Sequence, residues 1–320
     1  MISKSEFLNR IHGGIFPLLK KVDQERSAMI RKWGIGMVIV AVILTVVVSH
    51  LIGFDKMKQK DSYWGYIPVI TFIIPLLIGA SKIDVFSYQL KQKFIPILYD
   101  IVELKKKEKT SNKENNFEKE AEEEVMEQVS SFRELLNKGL FPSNSRWDGY
   151  DDDFFAKDNS FCIREMKASI GGGKGKHKVF EGFVFTTNLD IKMRRKILIL
   201  QKVNFMSSKK FKPQKSLGYK NISTNDAVFD NRFKVYAQNE IDVKSILNKI
   251  FLRQIMSLRD LYPKAVINLL IENGKVTISV NTNKNMFEFF KIYQSLLKDK
   301  LFEKFYDEVA VLYKVKELFR

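Results

Sequence analysis

Cys162 and His177 are the residue types in this chain most able to do covalent chemistry, since a thiol and an imidazole can serve as nucleophile and base. No oxyanion element and no third residue to orient the imidazole is identifiable. Cys162 lies in an apolar stretch, where an inert buried cysteine is the simpler expectation. The run Gly171-Gly172-Gly173-Lys174-Gly175-Lys176 has the composition of a phosphate loop. A phosphate loop needs G-x-x-x-x-G-K followed by Ser or Thr, between a strand and a helix. Here His177 follows the last lysine and strands are expected on both sides, so the run reads as a hairpin tip whose amides and lysines could still touch an anion. Asp148, Asp151, Asp152 and Asp153 could attract a divalent cation, but they lack the alternating ligands, sixth-position glycine and terminal glutamate of a calcium loop, and a solvated acidic loop is expected. With three histidines and one cysteine, neither a zinc site nor any other cofactor is implied. One cysteine also rules out an intramolecular disulfide and fits a reducing compartment.

Charge is the stronger signal. The chain carries a formal +17, unevenly spread. Residues 118–160 are net acidic, and residues 161–220 hold 15 Lys and Arg against 3 Asp and Glu. Lys174, Lys176, Lys178, Lys209, Lys210, Lys212 and Lys215 are the candidate contacts of this block with an anionic partner. That partner is either lipid headgroups, an acidic protein face or nucleic acid; a lysine-rich surface that only aids solubility is the plain alternative. Phe180, Phe183, Phe185, Phe205, Phe211 and Tyr219 interleave with the lysines, a mixture used by single-strand binders. Aromatics at alternate strand positions are more simply core, and no recognised nucleic-acid motif accompanies them.

Two segments must position everything else. Residues 34–54 carry no formal charge and 13 Val, Ile, Leu or Phe. As a helix they measure roughly 31 Å, about one hydrocarbon thickness, and their side chains favour insertion by several kcal/mol. Residues 62–81 form a second uncharged stretch, with Pro68 and Pro75, and Trp33, Trp64 and Tyr66 fall at the expected interfaces. The charged lead-in is too long for a signal peptide. The connecting residues 55–61 are few, so a hairpin is expected. Residues 1–33 hold 7 Lys and Arg and residues 82–113 hold 8, against Lys56, Lys58 and Lys60 between the spans, which puts both termini in the cytoplasm of a bacterial inner membrane. His50 reads as interfacial.

Outside the spans, Ser3-Lys4-Ser5-Glu6 has the capping-box pattern and starts a helix that Gly13, Gly14 and Pro17 are expected to interrupt. This segment is either an amphipathic surface helix or packs on the chain's own helices. Apolar residues from Phe86 to Val102 recur at helical spacing, as do those of 118–138, which Pro142 and the aspartates end. Strands are expected at 161–169, 178–187, 196–205 and 232–237. Asn239 is expected to cap a helix of about 20 residues ending before Pro263. Asn273-Gly274 is the favoured type I′ pair for a hairpin over 265–282, and a last helix is expected from 285–288 to Arg320.

Several short pieces resemble a bacterial membrane-protein family, that of domain of unknown function 3137. They are Gly139-Leu140-Phe141-Pro142, Val179-Phe180-Glu181-Gly182-Phe183-Val184-Phe185, Asp230-Asn231-Arg232-Phe233-Lys234-Val235-Tyr236, the Asn273-Gly274 hairpin, and Glu25-Arg26 ahead of the two spans. The lysine-rich stretch 208–215 departs from the pattern. The resemblance implies a membrane protein with no assigned activity. The expected architecture is α+β: a helical segment 1–33, a transmembrane hairpin 34–81 (34–54 and 62–81), a helical stalk and linker 82–138, and a cytoplasmic domain 139–320 with a largely antiparallel sheet and flanking helices. The expected role is a non-enzymatic, membrane-anchored interaction or scaffold protein that meets anionic lipid or an unidentified acidic protein. A tethered enzyme without a linear motif and a tethered nucleic-acid binder are the alternatives.

Overall fold

The computed structural model describes residues 1–52, 66–106, 117–190, 196–202, 218–284 and 294–319. The chain divides into two compact units, one helical (2–102 and 288–306) and one built on a sheet (Met1, 103–287 and 307–320).

The helical unit opens with α1 (Lys4–Arg10), capped as expected by the Ser3 hydroxyl, which accepts from the Glu6 amide at 3.2 Å. Gly13, Gly14 and Pro17 do not break the helix, contrary to expectation. The backbone widens into a π-helical turn over Ile11–Ile15, continues as α2 (Phe16–Met29), widens again over Ile30–Ile35 and runs on as α3 (Gly36–Ile52). Pro17 sits in the first turn of α2, where no intrahelical N–H is needed. The two wide turns have a packing cause. Residues 7, 11, 15, 19, 22, 26, 30, 34, 37, 41, 45 and 48 are buried or half-buried, a spacing slightly longer than the 3.6 residues of an α-helix. Each π turn takes up the excess and keeps a single stripe facing inward. Helix α4 (Ile67–Ile101) includes both Pro75 and Pro96.

The stripe has two kinds of partner. Its upper part meets α4 in an antiparallel contact: Gly34 faces Ile83, and Thr45 Oγ1 reaches Pro68 O at 3.5 Å. Gly79 makes this approach possible, since a Cβ there would stand 2.3 Å from the Trp33 carbonyl oxygen. Its lower part packs on aromatic residues: Phe7 lies against Phe305 and Tyr306, and Tyr99 against Phe305. The Asp23 carboxylate holds the turn before the last helix, accepting from Leu296 N at 2.7 Å and from the Ser295 hydroxyl at 3.1 Å. The N-terminal segment thus packs on the chain's own helices, the second of the two alternatives.

Among the described residues the sheet unit is α+β with nine antiparallel strands in the order β1-β2-β3-β4-β9-β8-β5-β7-β6. They are β1 (Leu104–Lys106), β2 (Ser145–Ala156), β3 (Phe161–Ile170), β4 (His177–Asn188), β5 (Ile197–Gln201), β6 (Lys220–Ile222), β7 (Phe233–Ala237), β8 (Val266–Glu272) and β9 (Lys275–Asn281). Alternation along the strands gives two apolar faces. On one, Met166, Ala168, Phe180, Val184, Leu198, Leu200 and Leu270 meet Phe132 of α5 (Phe117–Asn137) and the buried Leu140 and Phe141 that follow it. On the other, Phe161 meets Tyr313 of α9 (Asp299–Leu318), and Phe183 meets Tyr262 at the end of α8 (Lys249–Leu261). Two short helices, α6 (Ala227–Arg232) and α7 (Glu240–Ile246), flank β7.

The Asn273-Gly274 turn is as expected, with φ of 49° and 68°. Three expectations need correction. Asp148, Asp151, Asp152 and Asp153, read as an acidic loop, lie in the long strand β2 (Ser145–Ala156), whose bulges fall beside Gly149 and Tyr150. The single helix after Asn239 is two, because Asn248 starts a new one by accepting from the Phe251 amide at 2.9 Å. The last helix begins at Asp299, since residues 294–298 form the turn held by Asp23; 285–293 lie outside the described residues.

Candidate functional site

Two surfaces stand out. The first is on the helical unit. The seam between α3 and α4 is made of small residues: Ala41, Pro75 and Gly79 are buried there. Most of the rest of α3 and of residues 67–80 of α4 is apolar and points outward. Leu51 is 78% exposed and Leu77 62%, and Val38, Ile39, Val42, Ile43, Val46, Val47, Val69, Ile70, Ile73 and Ile74 are exposed with them. Polar side chains in this stretch bond backbone, Thr45 Oγ1 to Ala41 O at 2.7 Å and Thr71 Oγ1 to Pro68 O at 2.9 Å. Both helices are long and apolar enough to cross a membrane. Residues 53–65, which join them, lie outside the described residues.

The second surface is the basic block of the sheet unit. The glycine run is the β3–β4 tip, with positive φ at Gly171 and Gly173 and a short 3-10 turn at Gly173–Gly175. The Lys174 backbone lies in that turn. Lys176 Nζ pairs with Asp148 at 2.8 Å, and Lys178 pairs with Glu181. Burial pushes the Asp148 carboxyl up, but the bond and charge of Lys176 together with a Ser169 hydrogen bond outweigh it and hold the carboxyl below its ordinary range. The acidic collar and the basic block are therefore partly neutralised by each other. Lys209, Lys210, Lys212 and Lys215 lie outside the described residues.

Cys162 and His177 are not brought together. In the β3–β4 register Cys162 faces Thr186 while His177 faces Ile170, at opposite ends of the ladder. Burial pushes the Cys162 thiol above its ordinary range, which disfavours the thiolate. Of the aspartates, Asp148 is paired as above and Asp153 lies 3.5 Å from Arg164 Nε. Among the described residues no group of three His, Cys, Asp or Glu side chains could hold a metal.

Sequence reasoning missed a charged network where α5 meets the sheet. Lys138 bonds Glu134 at 2.5 Å and also pairs with the buried Glu272, whose other oxygen lies 3.5 Å from Lys196. Burial alone would lower the Lys138 ammonium, but bonds from both carboxylates raise it above its ordinary value. Burial and the Glu272 charge push the nearby Tyr219 hydroxyl up to about 12. Arg164 reaches back to Ser131 of α5. The network clamps the helix end to the sheet. Its contacts between α5 and the sheet join residues 33 to 134 positions apart along the chain, so no local pattern announces it.

Residues 178–320 match the model of a family described as a protein of unknown function (DUF3137). No curated protein matches the chain. Among solved structures, the crystal structure of the mycobacterial trehalose monomycolate transport factor A is returned at 8% sequence identity, covering 60% of this chain and 94% of that one, with a TM-score of 0.28. A likeness that weak carries no argument about fold or role.

Proposed function

We propose that this chain is a non-enzymatic interaction or scaffold protein, anchored in a bacterial inner membrane by a hairpin of α3 and α4, with both termini and the sheet unit in the cytoplasm. The carrying observation is the apolar belt. Soluble proteins rarely expose contiguous apolar patches beyond a few hundred Å², and here two packed helices expose Val, Ile, Leu and Phe all round except along their seam. The small-residue seam supports the same reading, since helices in lipid associate through close packing rather than through apolar burial. Orientation rests on the excess of Lys and Arg on the two terminal flanks over the connecting residues. Anionic lipid or an acidic protein face is the partner proposed for the basic block. A reporter active only in the cytoplasm, fused after Arg320, is expected to be active. A silent cytoplasmic reporter with an active periplasmic one at the same point would reverse the orientation. Release of the chain from membranes by alkaline carbonate would remove the spanning model itself.

A further inference from the structure

Resting on that spanning reading, we infer that the helical unit carries its own contact for anionic phospholipid: a cationic collar of Arg31, Lys32 and Lys82 that holds headgroup phosphates where α3 and α4 leave the apolar belt. The contact between the helices sets the level of these residues. Gly34 faces Ile83, and Gly79 faces the Trp33 carbonyl and Met37. Lys82 adjoins Ile83 in sequence, and Arg31 and Lys32 precede Trp33, so the three cations sit at one height on two different helices. All three are exposed. The second π turn spaces Ile30 and Gly34 inward while Arg31 and Lys32 stay outward.

The surroundings match a bilayer surface. On one side of the collar the outward residues are apolar except His50, from Ile35 through α3 to Leu51 and from Ile78 back to Val69 on α4. Ile35 to Leu51 measures about 24 Å by helix rise. On the other side α2 turns Lys20, Lys21, Gln24 and Glu25 outward. Trp33 is half-buried at the boundary, with the Lys32 ammonium 5.3 Å from its ring, the placement an indole takes between lipid and headgroup. Arg31 Nε bonds only the Ser27 carbonyl, at 3.4 Å. Among the described residues no carboxylate pairs with Arg31, Lys32 or Lys82, whereas Lys176 and Lys178 of the basic block are both paired. The exposed Asp84 lies near the collar and leaves its net charge positive. Unpaired cations at the boundary are the groups with most to gain from a phosphate.

The experiment compares spin-labelled phosphatidylglycerol with spin-labelled phosphatidylcholine as probes in phosphatidylcholine vesicles carrying the full chain, reading the motionally restricted fraction of each. The expected result is a preference for phosphatidylglycerol of about fivefold, what about 1 kcal/mol from a single surface cation amounts to. Salt should reduce it. The triple variant Arg31→Gln, Lys32→Gln, Lys82→Gln should bring the preference close to one while the phosphatidylcholine signal is retained, which shows that the spans still sit in lipid. A comparison variant, Lys56→Gln with Lys58→Gln and Lys60→Gln, should keep the preference. Equal restriction of both lipids by the parent chain overturns the inference, as does loss of preference in a comparison variant but not in the collar variant. No restricted fraction for either lipid overturns the spanning reading and the collar with it.

Discussion

Asp23 shows how one side chain can hold distant parts of the chain. Burial pushes its carboxyl up, but the Arg26 guanidinium, the Leu296 amide and the Ser295 hydroxyl outweigh that and hold it below its ordinary range. A carboxyl lowered in the folded state contributes stability above its unfolded pKa, and that contribution is lost as pH falls through the folded value. The turn at 294–298 is therefore fully held at neutral pH and released below about pH 3.9. Asp23→Asn should cost about 1.5–3 kcal/mol, the worth of hydrogen bonds to a charged group. It should also flatten the acid limb of stability against pH for the full chain in mild detergent. Equal acid limbs in parent and variant would show that other carboxylates set it. The pattern Asp23-Gln24-Glu25-Arg26 reads in the sequence as an ordinary charged helix stretch, since nothing local points to Leu296 as a partner.

At the scale of elements, the hairpin β8–β9 and the seam of α3 and α4 make opposite demands. The hairpin needs positive φ at both turn residues, and Asn273 and Gly274 provide it. Replacing them with Val-Val should lower stability by about 3 kcal/mol, since β-branched residues resist that backbone; an unchanged unfolding midpoint would mean that the turn carries no strain. The seam needs absence of side chain. Gly79→Leu should separate the helices and cost about 1–3 kcal/mol; Gly79→Ala should cost less for its smaller volume but still destabilise, because its Cβ alone meets the Trp33 carbonyl. Thermal unfolding in detergent compares the two, and a leucine variant as stable as the parent would mean that α3 and α4 do not pack through Gly79. The hairpin was legible because its signal is local. The two helices long and apolar enough to cross a membrane were legible because length and apolar content decide that property. Strand β2 was not, because its bulges and aspartates hide the alternation by which a strand is read. The π turns were not, because two glycines and a proline usually end a helix, and here the demand for a continuous buried stripe prevails.

For the molecule as a whole, charge was the most visible property and the least decisive. The basic block is a feature of composition, yet Lys176 is paired with Asp148 of the acidic segment before it and Lys178 with Glu181 inside the block itself. Arg31, Lys32 and Lys82, which no carboxylate pairs with among the described residues, lie elsewhere, where a count registers only a modest flank. The make-up of the helical unit also has a consequence for synthesis. It draws on 2–102 and again on 288–306, with the sheet strands made in between. Roughly 200 residues, or about 10–40 s of translation, separate the two contributions. During that interval Phe7 and Tyr99 wait without Phe305, and Asp23 without Leu296. A ribosome that stalls inside the sheet leaves that apolar face of the nascent chain open, the kind of surface that chaperones hold and proteases remove. The final helix therefore acts as a completion mark: until it arrives, the nascent chain presents itself to quality control as unfinished.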